Sequence, residues 1–231
     1  MRLDRMLSNA HAGTRSQVKK LVKEKRVKVN GVLAKTSSMQ IDEVNDEVTL
    51  DDIPVIYEEH MYLMLHKPAG YISATEGNVP TVMDLIYEDN NGLFPCGRLD
   101  KDTEGLLLIT NDGPLAHTLL SPKHHVEKEY YVEHALDMSE DDIVRLQSGI
   151  SYNGESYKPA KVNMISPRSC TLTITEGKYH EIKFMFQALG DKVTYLKRLR
   201  MKNLVLDEGL KPGEYRYLTE EEIADLKADE Q

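Results

Sequence analysis

The chain has 231 residues, 40% of them hydrophobic and 29% charged, with a formal net charge of −9, the composition of a soluble globular protein with room for one small and one medium domain. No apolar run approaches the roughly 18 to 20 residues that span a bilayer, and the charged N-terminus lacks a signal-peptide core, so the expected location is the cytoplasm. Cys96 and Cys170 stand apart with no Cys-x-x-Cys spacing, which argues against both a disulfide framework and a zinc site and leaves two free thiols.

Charge is unevenly spread along the chain. Between Met1 and Ser38 ten Lys or Arg residues face only Asp4 and Glu24, a net of +8, whereas eight acidic residues and no Lys or Arg lie between Ile41 and His60. Leu3, Met6 and Leu7 have helical spacing. Thr14-x-x-Gln17 is a capping box that opens a second helix, with Val18, Leu21 and Val22 on one face and Lys19, Lys20 and Lys23 largely on the other. Val27-Lys28-Val29 and Val32-Leu33, joined by Asn30-Gly31, predict a hairpin. A basic face on so small a module suits an acidic partner. The acidic stretch from Asp51 to Glu59, broken by Pro54, marks the boundary, so residues 1–59 form the basic module with its linker and residues 60–231 a second domain.

In the second domain Tyr62-Leu63-Met64-Leu65 reads as a strand running into Lys67-Pro68-Ala69-Gly70, where Pro68 sets a turn and biases Lys67 to extended backbone. Leu106 to Thr110 is a short uninterrupted apolar run between Gly105 and Asn111-Asp112-Gly113, the pattern of a fully buried strand closed by a tight turn. Tyr130 to Val132, Thr171 to Thr175 and Leu204 to Leu206 predict further strands, and Ile182 to Leu189 and Glu220 to Lys227 predict helices. Together they describe an α+β domain, a mixed and largely antiparallel sheet with segregated helices.

Ahead of the buried strand stands Gly97-Arg98-Leu99-Asp100-Lys101-Asp102-Thr103-Glu104-Gly105. A carboxylate and a guanidinium two residues apart sit on a loop anchored to rigid sheet, as a catalytic pair does. Two other readings compete. Asp100 can serve as a turn or capping residue with Arg98 as its surface partner. Asp100, Asp102, Glu104 and Gly105 also match the opening of an EF-hand loop, but Asn111 occupies the position of the bidentate Glu and strand follows where a helix belongs. His117, His124, His125 and His134 lack the i, i+4 spacing of a metal pair.

Gly-Arg-Leu-Asp with a Thr three residues on, followed by Gly-Leu-Leu-Leu-x-Thr-Asn-Asp-Gly, resembles the catalytic signature of RNA pseudouridine synthases of the RsuA type, which modify ribosomal RNA. Further segments agree in the family's order: His66-Lys67-Pro68-Ala69-Gly70-Tyr71, then Glu127-Lys128-Glu129-Tyr130-Tyr131-Val132, then Glu176-Gly177-Lys178-Tyr179-His180-Glu181-Ile182-Lys183. Two helices on a small basic sheet resemble the RNA-binding module named after ribosomal protein S4.

The resemblance implies a catalytic Asp100, Tyr130 stacked under the uracil, and Lys183 as the cation beside Asp100. It also implies that Ile182 packs on the other side of the base and that Arg98 holds the flipped-out conformation. Lys67 and the run Lys192, Lys197, Arg198, Arg200 and Lys202 are candidate contacts to the RNA backbone. In the S4-like module Arg2, Arg5, Arg15, Lys19, Lys20, Lys23 and Arg26 would meet phosphates. The reaction is an isomerisation and requires neither cofactor nor metal. The implied substrate is a uridine of small-subunit (16S) ribosomal RNA, met within a partly assembled subunit by a monomer. Large-subunit RNA is the nearest alternative, and a non-catalytic ribosome-assembly factor is the alternative of another class. Glu181 and Phe184 depart from the family pattern, which carries Gln and a basic residue there, so the RNA surface is expected to be more acidic and less basic at these places.

Overall fold

The computed structural model describes residues 1–10, 12–43, 45–55, 60–88 and 92–228, in two compact units, Met1–His60 and Met61–Gln231. Of the acidic linker, Glu58 and Glu59 lie outside the described residues.

In the first unit α1 (Leu3–Asn9) and α2 (Arg15–Lys23) accompany β1 (Val27–Val29), β2 (Val32–Leu33), β3 (Val48–Leu50) and β4 (Ile53–Pro54), whose spatial order is β2-β1-β3-β4. Each element has a local cause. The Thr14 hydroxyl accepts from the Gln17 amide at 3.3 Å while the Gln17 side chain accepts from the Thr14 amide at 2.8 Å, satisfying two donors that the start of α2 leaves open. Asn30 and Gly31 both take positive φ, 51° and 75°, so the β1–β2 connection has the twist of a two-residue hairpin. Leu3, Leu7, Val18, Val22, Val27 and Val48 close the core beneath them.

The second unit is built on a nine-stranded sheet among the described residues. In chain order its elements are β5 (Tyr62–Lys67), β6 (Phe94–Cys96), β7 (Glu104–Thr110), α3 (Gly113–Leu120), β8 (Lys128–His134) and α4 (Glu140–Ser148). A hairpin follows, β9 (Ile150–Tyr152) and β10 (Glu155–Tyr157), and then β11 (Lys161–Ser166), β12 (Ser169–Ile174), α5 (Glu181–Ala188), β13 (Val193–Met201), β14 (Leu204–Val205), β15 (Tyr215–Tyr217) and α6 (Glu220–Lys227). The sheet runs β11-β12-β8-β13-β7-β5-β15, with β14 beside β13 and β6 beside β7; β13 and β7 are parallel and the other pairs antiparallel.

Alternation along β5 and β7 explains their continuous hydrophobicity. Leu63, Leu65, Leu107 and Ile109 point into one core with Ile182, Met185 and Phe186 of α5 and Leu146 of α4. Tyr62, Met64, Leu106 and Leu108 point into another with Leu115 and Leu119 of α3 and Leu226 of α6. Both faces are therefore covered, and a strand covered on both faces carries no polar alternation. The α+β class holds, but helices cover both faces of the sheet. Asn111-Asp112-Gly113 also differs from the expected tight turn. Asp112 caps α3, its carboxylate accepting from the Leu115 amide at 3.0 Å and from the Tyr62 hydroxyl at 2.7 Å.

Where β7 meets β13, Gly105 has φ of 104°, and a Cβ there would lie 2.2 Å from the Arg198 carbonyl oxygen. Neither the backbone conformation nor the close approach admits a side chain. Gly105→Ala is expected to lower stability by about 2 to 4 kcal/mol, combining backbone strain with overpacking. A fall in the urea midpoint at constant m-value reports it, and an unchanged midpoint contradicts the close packing of this pair.

Candidate active site

Asp100 lies in the connection from β6 to β7, and polar groups of buried residues fix the backbone on both sides of it. The Ser73 hydroxyl accepts from the Leu99 amide at 3.0 Å and donates to the Leu99 carbonyl at 3.1 Å. The Thr103 amide donates to the Asp100 carbonyl at 3.0 Å, which closes the turn. Lys67, at the end of β5, is wholly buried. Its ammonium donates to the carbonyls of Thr103 (2.7 Å), Asp100 (3.0 Å), Pro68 (3.1 Å) and Lys101 (3.4 Å).

Lys67 therefore does not serve as the RNA-backbone contact expected of it. It organises the loop from inside, because β5 buries it beneath the chain it holds. Burial pushes its pKa down to about 8, against the pull of Asp102, Asp100 and Glu104.

The Asp100 side chain faces α5. Lys183 Nζ is 2.9 Å from Asp100 Oδ2 and 2.6 Å from Asp102 Oδ1. Partial burial would lower the pKa of Lys183, but the bonds to Asp102 and Asp100 reverse this and leave it raised. Asp102, whose burial alone would raise its pKa, is held below the ordinary carboxylate range by the same ammonium. Lys183 and Asp102 therefore stay ionised at neutral pH. His180 Nε2 stands 3.4 Å from Asp100 Oδ1, and His180 has φ of 49°, a left-handed conformation that costs a side chain about 1 to 3 kcal/mol. The spacing of the motif carries no sign of this role for His180.

Asp100 opens onto a cleft lined by Arg98, Tyr130, Ile174, His180, Ile182 and Leu196, among others. Tyr130 and Ile182 are buried apolar walls, and Arg98 is exposed. The five residues Arg98, Asp100, Tyr130, Ile182 and Lys183 come from separate parts of the chain and line one cleft. A carboxylate, a fixed cation and apolar walls can receive a planar base and act on the bond that joins it to a sugar.

Glu181 lines the cleft too but is buried. It accepts from the Lys178 amide at 2.8 Å, and burial raises its pKa, so it adds no exposed negative charge. Of the basic run in and beside β13, Lys192 is exposed and Lys197 half-buried, and the rest is inward or paired. Arg198 and Lys202 are buried, Arg198 Nε donating to the Leu106 carbonyl at 2.7 Å, and Arg200 pairs with Glu127 and Glu129, each at 3.0 Å.

In the first unit a concave surface collects Arg2, Arg15, Lys19, Lys23 and Lys35 with Ser16, Thr36, Ser37 and Ser38. Arg5 and Lys20 are exposed outside that lining. Arg26 is held by both oxygens of Asp51 at 2.9 and 2.5 Å, which satisfies the charge expected to meet RNA.

Comparison with known proteins matches each of the two units to a family. Residues 61–188 match the RNA pseudouridylate synthase family and residues 1–48 match the S4 domain. The chain belongs to the RNA pseudouridylate synthase family, in the form that carries an N-terminal S4 domain. It is 48% identical to an uncharacterized RNA pseudouridine synthase of Bacillus subtilis, over 96% of this chain and 97% of that one. It is 41% identical to the ribosomal small subunit pseudouridine synthase A of Haemophilus influenzae, over 98% and 99% of the two chains. A crystal structure of a pseudouridylate synthase superposes with a TM-score of 0.70 at 41% identity, covering 98% of this chain and 99% of the other.

Lys67→Met removes the donor to four carbonyls, that of Thr103 in a fully buried bond, and an unsatisfied buried acceptor costs about 1 to 3 kcal/mol. The variant is expected to lose at least about 2 kcal/mol of stability in urea unfolding and to become susceptible to limited proteolysis between Pro68 and Thr103. Wild-type stability and protease resistance would remove Lys67 as the clamp on this loop.

Proposed function

We propose that this protein converts one uridine of small-subunit ribosomal RNA to pseudouridine, with Asp100 as the catalytic carboxylate. The observation that carries the reading is the Asp100 carboxylate at 2.9 Å from Lys183, at the mouth of an apolar cleft containing Tyr130. In the reaction the bond from uracil N1 to the sugar C1′ breaks, the base turns, and a bond from C5 to C1′ forms; C5 loses a proton and N1 gains one. No oxidant or second substrate enters this balance. Asp100 supplies the group that attacks or deprotonates beside the glycosidic bond. The Lys183 ammonium pairs with it at 2.9 Å, Asp102 shares that ammonium, and the Lys67 clamp fixes the approach. Tyr130 and Ile182 receive the faces of the base.

A uridine in folded RNA leaves its stack at a cost of a few kcal/mol, and exposed Arg98 at the cleft enters the vacated place. The basic concavity of the S4 domain, with Arg2, Arg15, Lys19, Lys23 and Lys35, holds phosphates and orients the RNA. Arg5 and Lys20 extend that surface. The relatives named for the small ribosomal subunit support the substrate assignment. The protein acts as a monomer in the cytoplasm, on a partly assembled subunit.

Asp100→Asn is expected to keep RNA binding and lose pseudouridine formation by at least about 10³-fold, since the carboxylate is the reacting group. Carbodiimide labelling with primer extension on unmodified small- and large-subunit RNA reads this. One new stop on small-subunit RNA, absent with the variant, is the expected outcome; near wild-type modification by the variant refutes the assignment. Lys19→Ala with Lys23→Ala should weaken RNA binding and lower the slope of log affinity against log salt by about 0.7 to 0.9 for each phosphate that is no longer neutralised. An unaltered slope places the phosphate-binding groups elsewhere.

A further inference from the structure

Beyond the catalytic cleft, the turn before α5 and the hairpin β9–β10 line a second, open concavity that the reaction does not use. Tyr152, Tyr157, Tyr179 and Phe184 line it with Asn153, Glu155 and Lys178. Its rings are ordered against one another. Tyr152 and Phe184 stack at 5.8 Å and 26°, and Tyr179 lies on His180 at 3.8 Å and 18°. Phe184 also approaches Tyr179 at 6.3 Å and His180 at 5.8 Å, in tilted geometry.

Core packing accounts for part of this cluster. Tyr152 and Phe184 are half-buried against the main core. It does not account for Tyr179, which is 69% exposed and whose ring is backed by His180. An aromatic ring held flat by a neighbour, with its other face open to water, suits stacking against a planar group.

The concavity neighbours the cleft. Lys178 lines both, and His180, on which Tyr179 lies, stands 3.4 Å from the Asp100 carboxylate. An RNA strand with its uridine at Asp100 no longer stacks that base on the nucleotides to either side of it. Phe184 offers a ring at this edge and no positive charge. Lys178, 5.6 Å over the Tyr157 ring and 2.7 Å from Glu155, leaves little net charge here to hold phosphate. The Asn153 amide and the Glu155 carboxylate supply hydrogen-bonding groups for a base edge.

We propose that Tyr179, supported by His180 and flanked by Phe184 and Tyr152, stacks with an unpaired base of the substrate RNA adjacent to the uridine held at Asp100. The inference rests on the reading of the protein as an RNA pseudouridine synthase, and extends it to a second base contact.

The test is equilibrium binding of unmodified small-subunit ribosomal RNA, with excess unrelated competitor RNA, across a salt series. Wild type is compared with Tyr179→Ala, Tyr179→Phe and Phe184→Leu, each checked by thermal unfolding. Tyr179→Ala is expected to bind at least about fivefold more weakly, the lower end of what a base–aromatic stack contributes. Its salt slope should match wild type, because stacking releases no counterions, and Tyr179→Phe should bind within about twofold of wild type, since the ring that stacks is kept. Phe184→Leu keeps a side chain in the core and should weaken binding without lowering the melting temperature to the same degree. The proposal is overturned if Tyr179→Ala binds as tightly as wild type, if the Phe variant is as weak as the Ala variant, or if the weakening comes with a reduced salt slope. Failure of the wild-type protein to form pseudouridine on this RNA would instead overturn the functional reading, and the binding comparison would still decide the stacking contact.

Discussion

The ammonium of Lys67 sits inside the protein with four backbone carbonyls around it, and the position of Asp100 depends on that contact. A buried lysine is costly unless its donors are used, and here they hold a stretch of chain between two sheet strands that would otherwise be free to move. The sheet makes this possible. With β5 and β7 side by side and both faces covered, Lys67 is delivered beneath the loop that leads into β7, and Gly105 lets β13 close against the same point. Rigid sheet, a clamped loop and a carboxylate at its surface form one continuous arrangement.

Electrostatics at the cleft are organised around one cation and two carboxylates. Lys183 bonds to Asp100 and Asp102; these bonds hold the Lys183 pKa up, and the same ammonium holds the Asp102 pKa down, despite partial burial. Placing a lysine in the first turn of α5 opposes the helix dipole, and the two carboxylates offset that cost. His180 adds strain at the helix start and a ring within reach of Asp100. Such strain persists only where surrounding packing holds it, and here α5 is fixed by Ile182, Met185 and Phe186 in the core.

Runs of basic residues have different fates in different places. Arg15, Lys19 and Lys23 on the S4 domain line a concave surface, whereas Arg198 and Arg200 on β13 and Lys202 just after it are consumed in internal contacts. A Lys or Arg written in a run therefore says little about RNA contact until its burial is known. Arg26 illustrates the point within the basic module itself, where Asp51, just past the end of β3, occupies its guanidinium with both carboxylate oxygens.

The sequence by itself determined the local elements and the chemistry-bearing segment. The Thr14–Gln17 box, the Asn30-Gly31 hairpin, the apolar run from Leu106 and the Gly-Arg-Leu-Asp motif were readable because each depends on hydrogen bonding or side-chain alternation among near neighbours. Asp112 was read as a turn residue because Asn-Asp-Gly suits a hairpin as well as a helix cap, and only the packing of α3 on the sheet separates the two. Tertiary structure alone decided that Lys67 faces inward, that His180 meets Asp100, and that Tyr152 from the β9–β10 hairpin lies against Phe184. Those outcomes depend on which distant strands become neighbours and on which side chains lose water as they do so, and no spacing along the chain encodes either.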